Sequence, residues 1–204
     1  MNAKIQQTID ALKRNQFDAF YAEDSAQALE IVKGLIKPGT TVDRGGSLTV
    51  EQTGVLDYIR SGLFNFVDPY TAPTEAQKMK LMESRFTCDT FLCSANAIIS
   101  DGTLYNVDGA CSRVAPMLFG PKQVIVIAGK NKIVDSEQEA KHRLQTVAAP
   151  ANAKRLNAQT PCTFDGVCHE CKHEKCICCS TVITRFNRVK GRIKVIIVNE
   201  DLGL

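Results

Sequence analysis

Apolar residues recur along the chain in two patterns, one with helical spacing and one of short continuous runs. Ile5, Ile9 and Leu12 lie at i, i+4 and i+7, which predicts an amphipathic helix at the start of the chain. The runs at 123–128 and 193–198 are nearly all apolar and rich in β-branched residues, which is typical of strands buried on both faces. Helices that alternate with such strands predict an α/β fold, with a mainly parallel sheet flanked by helices.

The same patterns give the other elements. We predict strands at 17–22, 40–42, 63–67 and 181–186, and helices at 25–36 with Ser25 as its cap, at 48–59 and at 136–148. Met79, Met82 and Phe86 fall on one face of a further helix, and such a stripe is expected to face the core. Asp101-Gly102 lies between two apolar runs, which predicts a β-hairpin with positive φ at both residues.

A glycine pair marks the first candidate site. The strand at 40–42 leads into Gly45, Gly46 and Ser47, and a helix follows directly. Glycines let a backbone approach a ligand, and the first N–H groups of a helix attract anions, so this order predicts an anion site. A tight turn with a serine cap accounts for the same residues equally well. Glu51, one turn further on, would face the same opening.

Polar residues among the turns of 93–134 form the second candidate group. Asn96, Asp108 and Arg113 cluster there, and loops between core strands commonly carry chemistry. The planar fork of an arginine suits a carboxylate or a phosphate. Asn106 and Asp108 could equally serve only to build turns. We name Asp108, Arg113 and Glu51 as candidate catalytic residues, and Gly45, Gly46, Ser47, Asn96, Asn106 and Gly109 as candidate ligand-binding residues.

Composition excludes several classes of protein. A length of 204 residues favours a single domain over residues 1–204, and a net charge of +3 without a basic stripe argues against nucleic acid as a partner. No apolar segment has the length of a membrane span, and the first residues lack the apolar region of a signal peptide. Nine cysteines without a secretion signal indicate the reducing cytoplasm, where clustered cysteines bind metal or do redox work.

Six of these cysteines lie at 161–179, with the spacing C-x5-C-x2-C-x4-C-x-C-C. The segment has no apolar periodicity, so a bound metal would have to supply its missing core. Thiolates suit zinc or an iron–sulfur cluster, and Cys168 and Cys171 are spaced to meet one ion. The residues alone leave the other ligands open. The candidates are Cys162, Cys176, Cys178 and Cys179, with His169 and His173 as further candidates for zinc.

The stretch 93–134 contains NAI-x2-DGTL-x-N-x-DG-x3-RV-x2-M-x-FGP-x2-V-x-V/I-x2-G-x-NKIV and resembles the signature of the lactate-utilisation (LUD-domain) family. The resemblance extends over nearly the whole chain, from 45–47 to 200–203. Cys111 departs from it, because a small residue such as glycine is expected there, and Cys93 is a second unusual choice. The resemblance implies a fold similar to that of ribose-phosphate isomerases and CoA transferases, and 45–47 resembles the phosphate loop of those isomerases.

For function, the resemblance implies participation in the oxidation of L-lactate to pyruvate, beside iron–sulfur oxidoreductase subunits. The ligand would be a small anionic metabolite. The family pattern PC-x5-C-x2-C-x6-C selects Cys162, Cys168, Cys171 and Cys178 as metal ligands, and leaves Cys176 and Cys179 as extra residues. An iron–sulfur cluster is preferred over zinc because the family is tied to lactate oxidation. The alternative is an isomerase-like or transferase-like enzyme, or a ligand-binding protein, with structural zinc and a phosphorylated or carboxylated metabolite.

Overall fold

A six-stranded parallel sheet organises the fold. The computed structural model describes residues 1–66 and 68–204. In spatial order the strands are β1 (Asp18–Ala22), β10 (Ile193–Val198), β7 (Gln123–Gly129), β4 (Thr90–Cys93), β2 (Thr41–Arg44) and β3 (Asn65–Phe66). Each strand pairs with its neighbours in parallel. The predicted mainly parallel sheet is therefore confirmed, with the apolar β7 and β10 at its centre.

Helices cover both faces of this sheet. The helices of the described residues are α1 (Ala3–Arg14), α2 (Ser25–Leu35), α3 (Leu48–Gln52), α4 (Val55–Ile59), α5 (Glu75–Met82), α6 (Val114–Leu118), α7 (Glu137–Arg143), α8 (Ala149–Arg155) and α9 (Cys162–Asp165), and only some of them pack on this sheet. Ile5, Ile9 and Leu12 of α1 enter the core on one face, as their spacing predicts. A second core cluster, formed with α2 and α4, covers the other face. No helix of the described residues is both long and apolar enough to cross a membrane.

A second, smaller sheet stands beside the first and was not predicted. Its strands lie in the order β8 (Ile133–Val134), β5 (Ala97–Ile99), β6 (Thr103–Asp108) and β9 (Ser180–Thr184). A separate apolar cluster joins this sheet to α7 and to the residues that follow that helix. The segment 156–179 lies between α8 and β9, and the chain from β9 then returns to the main sheet as β10.

The predicted hairpin is present as β5 and β6, but its turn differs from the prediction. Ile99 pairs with Thr103, so three residues form the loop. Of the two residues expected to have positive φ, only Gly102 does, at +86°. A three-residue hairpin loop needs a single left-handed residue, which explains the difference. A Cβ at Gly102 would lie 2.5 Å from the carbonyl carbon of Ala11, so only glycine fits.

Other details of the elements also differ from the predictions. The helix predicted at 136–148 is α7 (Glu137–Arg143) followed by a π-helical turn at Leu144–Ala148, and the strand predicted at 181–186 is β9 (Ser180–Thr184). The helix predicted at 48–59 is two helices, because Gly54 adopts a left-handed φ of +70°. Asp24, and not Ser25, caps α2 by accepting a hydrogen bond from the backbone of Gln27. The strand predicted at 63–67 is shorter in the structure, which has β3 at Asn65–Phe66; Val67 lies outside the described residues.

Candidate functional site

A cavity of about 730 Å³ lies at the carboxyl ends of the parallel strands. Its wall includes the residues that directly follow β2 and β4, together with Lys132 beyond β7 and Gly203 beyond β10. Ligands of open α/β sheets bind in this position. The predicted site residues that line it are Gly45, Gly46, Ser47, Glu51, Asn96, Asp108, Gly109 and Arg113. The two groups of polar residues, which are distant in sequence, thus meet in one place.

The glycine loop presents free backbone donors to this cavity. Gly45 donates its N–H to Leu92, 2.8 Å away, and so ties the loop to β4. The Ser47 hydroxyl accepts a hydrogen bond from the N–H of Val50 and caps α3. The next four N–H groups, at 46–49, have no hydrogen-bond partner within 1–66 and 68–204. This arrangement can receive the oxygens of an anion.

Tyr70 and Arg44 form one side of the opening. A Cβ at Gly46 would lie 3.1 Å from the Tyr70 hydroxyl oxygen, so the loop and the ring are in close contact. The Arg44 guanidinium lies 4.8 Å from the centre of the same ring. It pairs with Asp68 at 3.1 Å and with Glu51 at 3.3 Å. The predicted catalytic role of Glu51 stays a prediction, and in the structure its carboxylate neutralises Arg44.

A buried ion pair supports the loop from below, and the sequence did not reveal it. Arg85 and Asp43 are each 1% exposed, and their Nε and Oδ1 atoms lie 3.2 Å apart. Burial raises the pKa of Asp43, while the charge of Arg85 and the hydroxyl of Ser84 oppose that shift. Arg85 also donates to the carbonyl oxygens of Arg44 and Ser112, at 2.8 and 3.0 Å. The pair therefore fixes both segments that border the cavity.

Arg113 and Asp108 are engaged with each other. Arg113 donates from Nε and Nη2 to Oδ1 of Asp108. The other oxygen of Asp108 accepts the backbone N–H groups of Arg113 and Val114, each at 3.0 Å, at the start of α6. Arg113 also donates to the carbonyl oxygens of Ser94 and Val107. The catalytic roles predicted for both residues stay predictions, because the geometry uses most of their hydrogen-bonding capacity inside the protein.

We therefore expect Arg113→Lys to lower the free energy of unfolding by about 1–3 kcal/mol, because an ammonium cannot reproduce a planar fork that meets several acceptors. Urea denaturation of the reduced protein measures this change. Arg14→Lys, on the exposed side of α1, is the control and should change the value by less than about 0.5 kcal/mol. If Arg113→Lys left the stability unchanged and weakened the affinity for the ligand, the Arg113 guanidinium would instead be a ligand-binding group.

Of the remaining predicted ligand-binding residues, Asn96 and Gly109 line the cavity, whereas Asn106 does not. The side-chain oxygen of Asn96 accepts from the Val107 backbone and from Arg113, at 2.8 and 2.7 Å. Asn106 does not line the cavity; it is fully buried, and its amide has no hydrogen-bond partner in the described part of the chain. A Cβ at Gly109 would lie 3.2 Å from Cα of Ile177, so this glycine allows the cysteine-rich segment to pack closely.

Lys132 is a cavity residue that the sequence analysis missed. It is 3% exposed, and its ammonium donates to the hydroxyls of Thr49 and Ser94, at 3.1 and 3.0 Å. No carboxylate of the described residues lies within 4.0 Å of it. Burial, together with the charges of Arg143 and Arg113, lowers its pKa to about 7. Perturbed groups in a cavity mark functional sites more often than other positions.

The apolar stripe on α5 was wrongly expected in the core. Met79 is 62% exposed and Phe86 is 44% exposed, while α5 buries none of its residues. Met79, Met82 and Phe86 instead line the outer part of the cavity. An apolar helical face that borders a cavity has the same sequence pattern as one that packs on a sheet, which explains the error.

The cysteines fall into two environments. Cys88 and Cys93 are buried in the core, and burial raises the pKa of each thiol to about 12. Cys111 has a φ of +55°, a conformation that favours glycine, which accounts physically for the small residue expected at this position. Cys93 and Cys111 both contribute to the cavity wall.

The segment 161–179 brings five cysteines into one neighbourhood. The pKa of Cys178 is raised to about 12, first by burial and then by the charges of Cys176, Cys168, Cys162 and Cys171. No group of three cysteine, histidine or acidic side chains converges at metal-binding distance in the ranges that the structure describes. The geometry does not separate Cys176 from Cys178, whose backbone N–H donates to the Cys176 sulfur at 3.4 Å. Ile177, between them, lines the cavity.

Comparison with known proteins shows the family of this chain. The family profile described as the LUD domain matches residues 5–198. A crystal structure of a DUF162 family protein from Deinococcus radiodurans is similar in fold, with a TM-score of 0.56, 15% identity and 96% coverage of each chain. eIF2B beta from Chaetomium thermophilum has a TM-score of 0.33 and 16% identity, over 66% of this chain and 44% of its own, which is too low to support an argument. No curated protein matches the chain.

Proposed function

This chain belongs to the LUD-domain family, and from that premise we propose that it is a lactate-utilisation protein that takes part in the iron–sulfur-dependent oxidation of L-lactate to pyruvate. Family membership suggests a function related to lactate utilisation. The finer role, in which the cavity holds the small carboxylate and iron–sulfur subunits act as partners, is our proposal. Its cysteine content favours the cytoplasm, where thiols stay reduced.

One observation carries the proposal. The cavity combines four free N–H groups at 46–49 with the buried ammonium of Lys132. Small carboxylates are bound by such convergent donors, and a cavity of about 730 Å³ has room for one. In this proposal the glycine loop binds the carboxylate, while Asp108 and Arg113 hold the loop that faces it. Glu51 keeps Arg44 in place at the opening.

Gly46→Val tests the glycine loop. The first added carbon would lie 3.1 Å from the Tyr70 hydroxyl oxygen and 3.2 Å from the nearest ring carbon, so the side chain would displace either the ring or the free N–H groups. We expect affinity for L-lactate and for pyruvate to fall by at least tenfold, or about 1.4 kcal/mol. Isothermal titration calorimetry of both ligands measures it.

Gly34→Val, within α2, is the matched control, because a Cβ at Gly34 meets nothing within 4 Å. Its affinity should equal that of the natural protein. Equal affinities for all three proteins would show that the glycine loop does not bind the ligand. A natural protein that binds neither lactate nor pyruvate would contradict the proposed substrate.

The proposed metal centre belongs to the same function. Four thiolates, from Cys162, Cys168, Cys171 and Cys178, suit an iron–sulfur cluster or zinc, and their shared neighbourhood supports one centre. A bound iron–sulfur cluster would supply electron transfer at this place. Ile177 of the segment lies on the cavity wall, so a centre held there would be close to the carboxylate. This proximity supports iron–sulfur as the preferred group.

A second candidate function follows from the same donors. Free N–H groups and a lysine suit a phosphate as well as a carboxylate, which favours an isomerase-like or transferase-like activity, or ligand binding alone, with structural zinc. Metal analysis with a visible spectrum, on protein purified without oxygen, separates the two. Iron with a visible chromophore supports the redox function, whereas zinc without a chromophore, combined with tighter binding of phosphorylated ligands, supports the alternative.

A further inference from the structure

Positive charge exceeds negative charge around Lys132. Arg113 has Asp108 as its carboxylate partner. Arg143, which is 9% exposed, donates only to main-chain oxygens, those of Asn131 at 3.0 Å and Asn96 at 2.6 Å. Within 1–66 and 68–204, Lys132 itself donates only to hydroxyls. These three cations therefore share a single carboxylate among the residues described.

An unpaired cation in a buried place is unfavourable, because the charge loses its hydration without gaining a counter-ion. A lysine with a purely structural role could be replaced by an apolar residue of similar size without this cost. Lys132 lies on a wall of the cavity, and its hydroxyl partners leave one of its three N–H donors over. An anion in the cavity would supply the counter-ion that this ammonium lacks among the described residues.

Gly203 packs tightly between this ammonium and the start of α3. A Cβ at Gly203 would lie 2.3 Å from the Thr49 hydroxyl oxygen, 3.0 Å from Nζ of Lys132 and 3.4 Å from the backbone N of Thr49, so only glycine fits here. The N–H of Thr49 is one of the four free donors at 46–49. The Thr49 hydroxyl accepts from Lys132, so this one residue joins the ammonium to the loop. Lys132 and Thr49 therefore lie side by side on the cavity wall.

We propose that Lys132 binds the negatively charged group of the ligand in this cavity and selects anions over neutral analogues. This inference rests on the small-anion function proposed above and adds the residue that recognises the negative charge of the ligand. Thr49 and Ser94 hold the ammonium in place. Because the recognised chemistry is a negative charge bearing oxygen atoms, a carboxylate and a phosphate are both suitable, and the two are tested separately.

The experiment compares four proteins by calorimetry: the natural protein, Lys132→Met, Lys132→Gln and Lys130→Met. The probes are L-lactate, its neutral amide L-lactamide, pyruvate and inorganic phosphate. Glutamine keeps a donor for Thr49 and Ser94 but carries no charge, whereas Lys130 is exposed and serves as the matched control. We expect both Lys132 variants to bind the preferred anion about 10- to 100-fold more weakly, with L-lactamide affinity unchanged.

The preference for L-lactate or phosphate over L-lactamide should therefore collapse in both Lys132 variants and persist in Lys130→Met. Their melting temperatures should not fall, since an uncompensated charge has been removed. An anion preference that survives in Lys132→Gln would overturn the inference while leaving the proposed function intact. If Lys132→Met fails to fold, Lys132→Gln decides alone. A natural protein that binds none of the anions would overturn the proposed function and this inference together.

Discussion

Replacing Arg85 with methionine is expected to lower the free energy of unfolding by about 3–5 kcal/mol. The substitution leaves Asp43 as a charge that is 1% exposed and has lost its ionic partner. The Ser84 hydroxyl, 2.9 Å from Asp43, cannot replace a guanidinium. The carbonyl oxygens of Arg44 and Ser112 also lose their donor. Urea denaturation of the reduced protein at neutral pH measures the change.

Two further variants make this prediction specific. Asp43→Asn combined with Arg85→Met removes both charges, so the double variant should be more stable than Arg85→Met alone. Lys122→Met breaks the ion pair with Asp89, in which the lysine side chain is 79% exposed, and should cost less than about 1 kcal/mol. A loss in Arg85→Met as small as that of Lys122→Met would show that the buried pair contributes little.

Cys168→Ser is expected to lose the proposed metal centre completely. A serine hydroxyl does not replace a thiolate toward zinc or iron–sulfur clusters, and three remaining ligands leave the site incomplete. The segment 161–179 should then become sensitive to protease, because it has few apolar side chains with which to order itself. Metal content per chain and the visible spectrum, on protein made and purified without oxygen, measure the loss.

Cys176→Ser is the informative control, because its thiol lies in the same neighbourhood but outside the proposed ligand set. It should retain the metal. Cys88→Ser, in the core, should retain it as well, since this thiol is 4% exposed and belongs to the main sheet. Equal metal loss in Cys176→Ser and Cys178→Ser would contradict the assignment of the four ligands.

The parallel sheet could be predicted because its central strands consist almost entirely of apolar residues. The runs at 123–128 and 193–198 correspond to β7 and β10 within one residue. The second sheet could not be predicted in the same way, since β8 has two residues and too few positions to show a period. Its pairing of β6 with β9 depends on contacts between residues about 75 positions apart, such as Val107 with Thr181.

In the site as well, features formed by adjacent residues could be predicted, whereas those that depend on contacts distant in sequence could not. The glycine loop was recognisable because strand, Gly45-Gly46-Ser47 and helix follow one another directly. Lys132 was not, because Asn131-Lys132 in a turn has the composition of a solvated surface. Only the meeting of several strand ends buries its side chain. Its position just beyond the carboxyl end of an apolar strand was the signal that could have revealed it.

The break between α3 and α4 is a third case. A glycine within a helical pattern is often tolerated, so Gly54 alone does not predict an interruption. In the structure Gly54 takes φ of +70°, which permits Val55, Leu56 and Ile59 to turn toward the same core as α2. The sequence therefore contains the glycine that allows the bend. The bend is required by the packing of α4 in the core shared with α2, and that packing depends on residues distant in sequence.

The central place of β10 has a consequence for biosynthesis. β10 fills the position between β1 and β7. Tyr21 of β1 pairs with Ile197 of β10, although more than 170 residues separate the two in sequence. Until residues 193–198 have left the ribosome, β1 and β7 have unpaired edges of apolar sequence, which invite association between nascent chains. Closing the sheet also requires a contact of very long range, which slows folding. The protein therefore depends on protection during synthesis more than a fold built from neighbouring strands would.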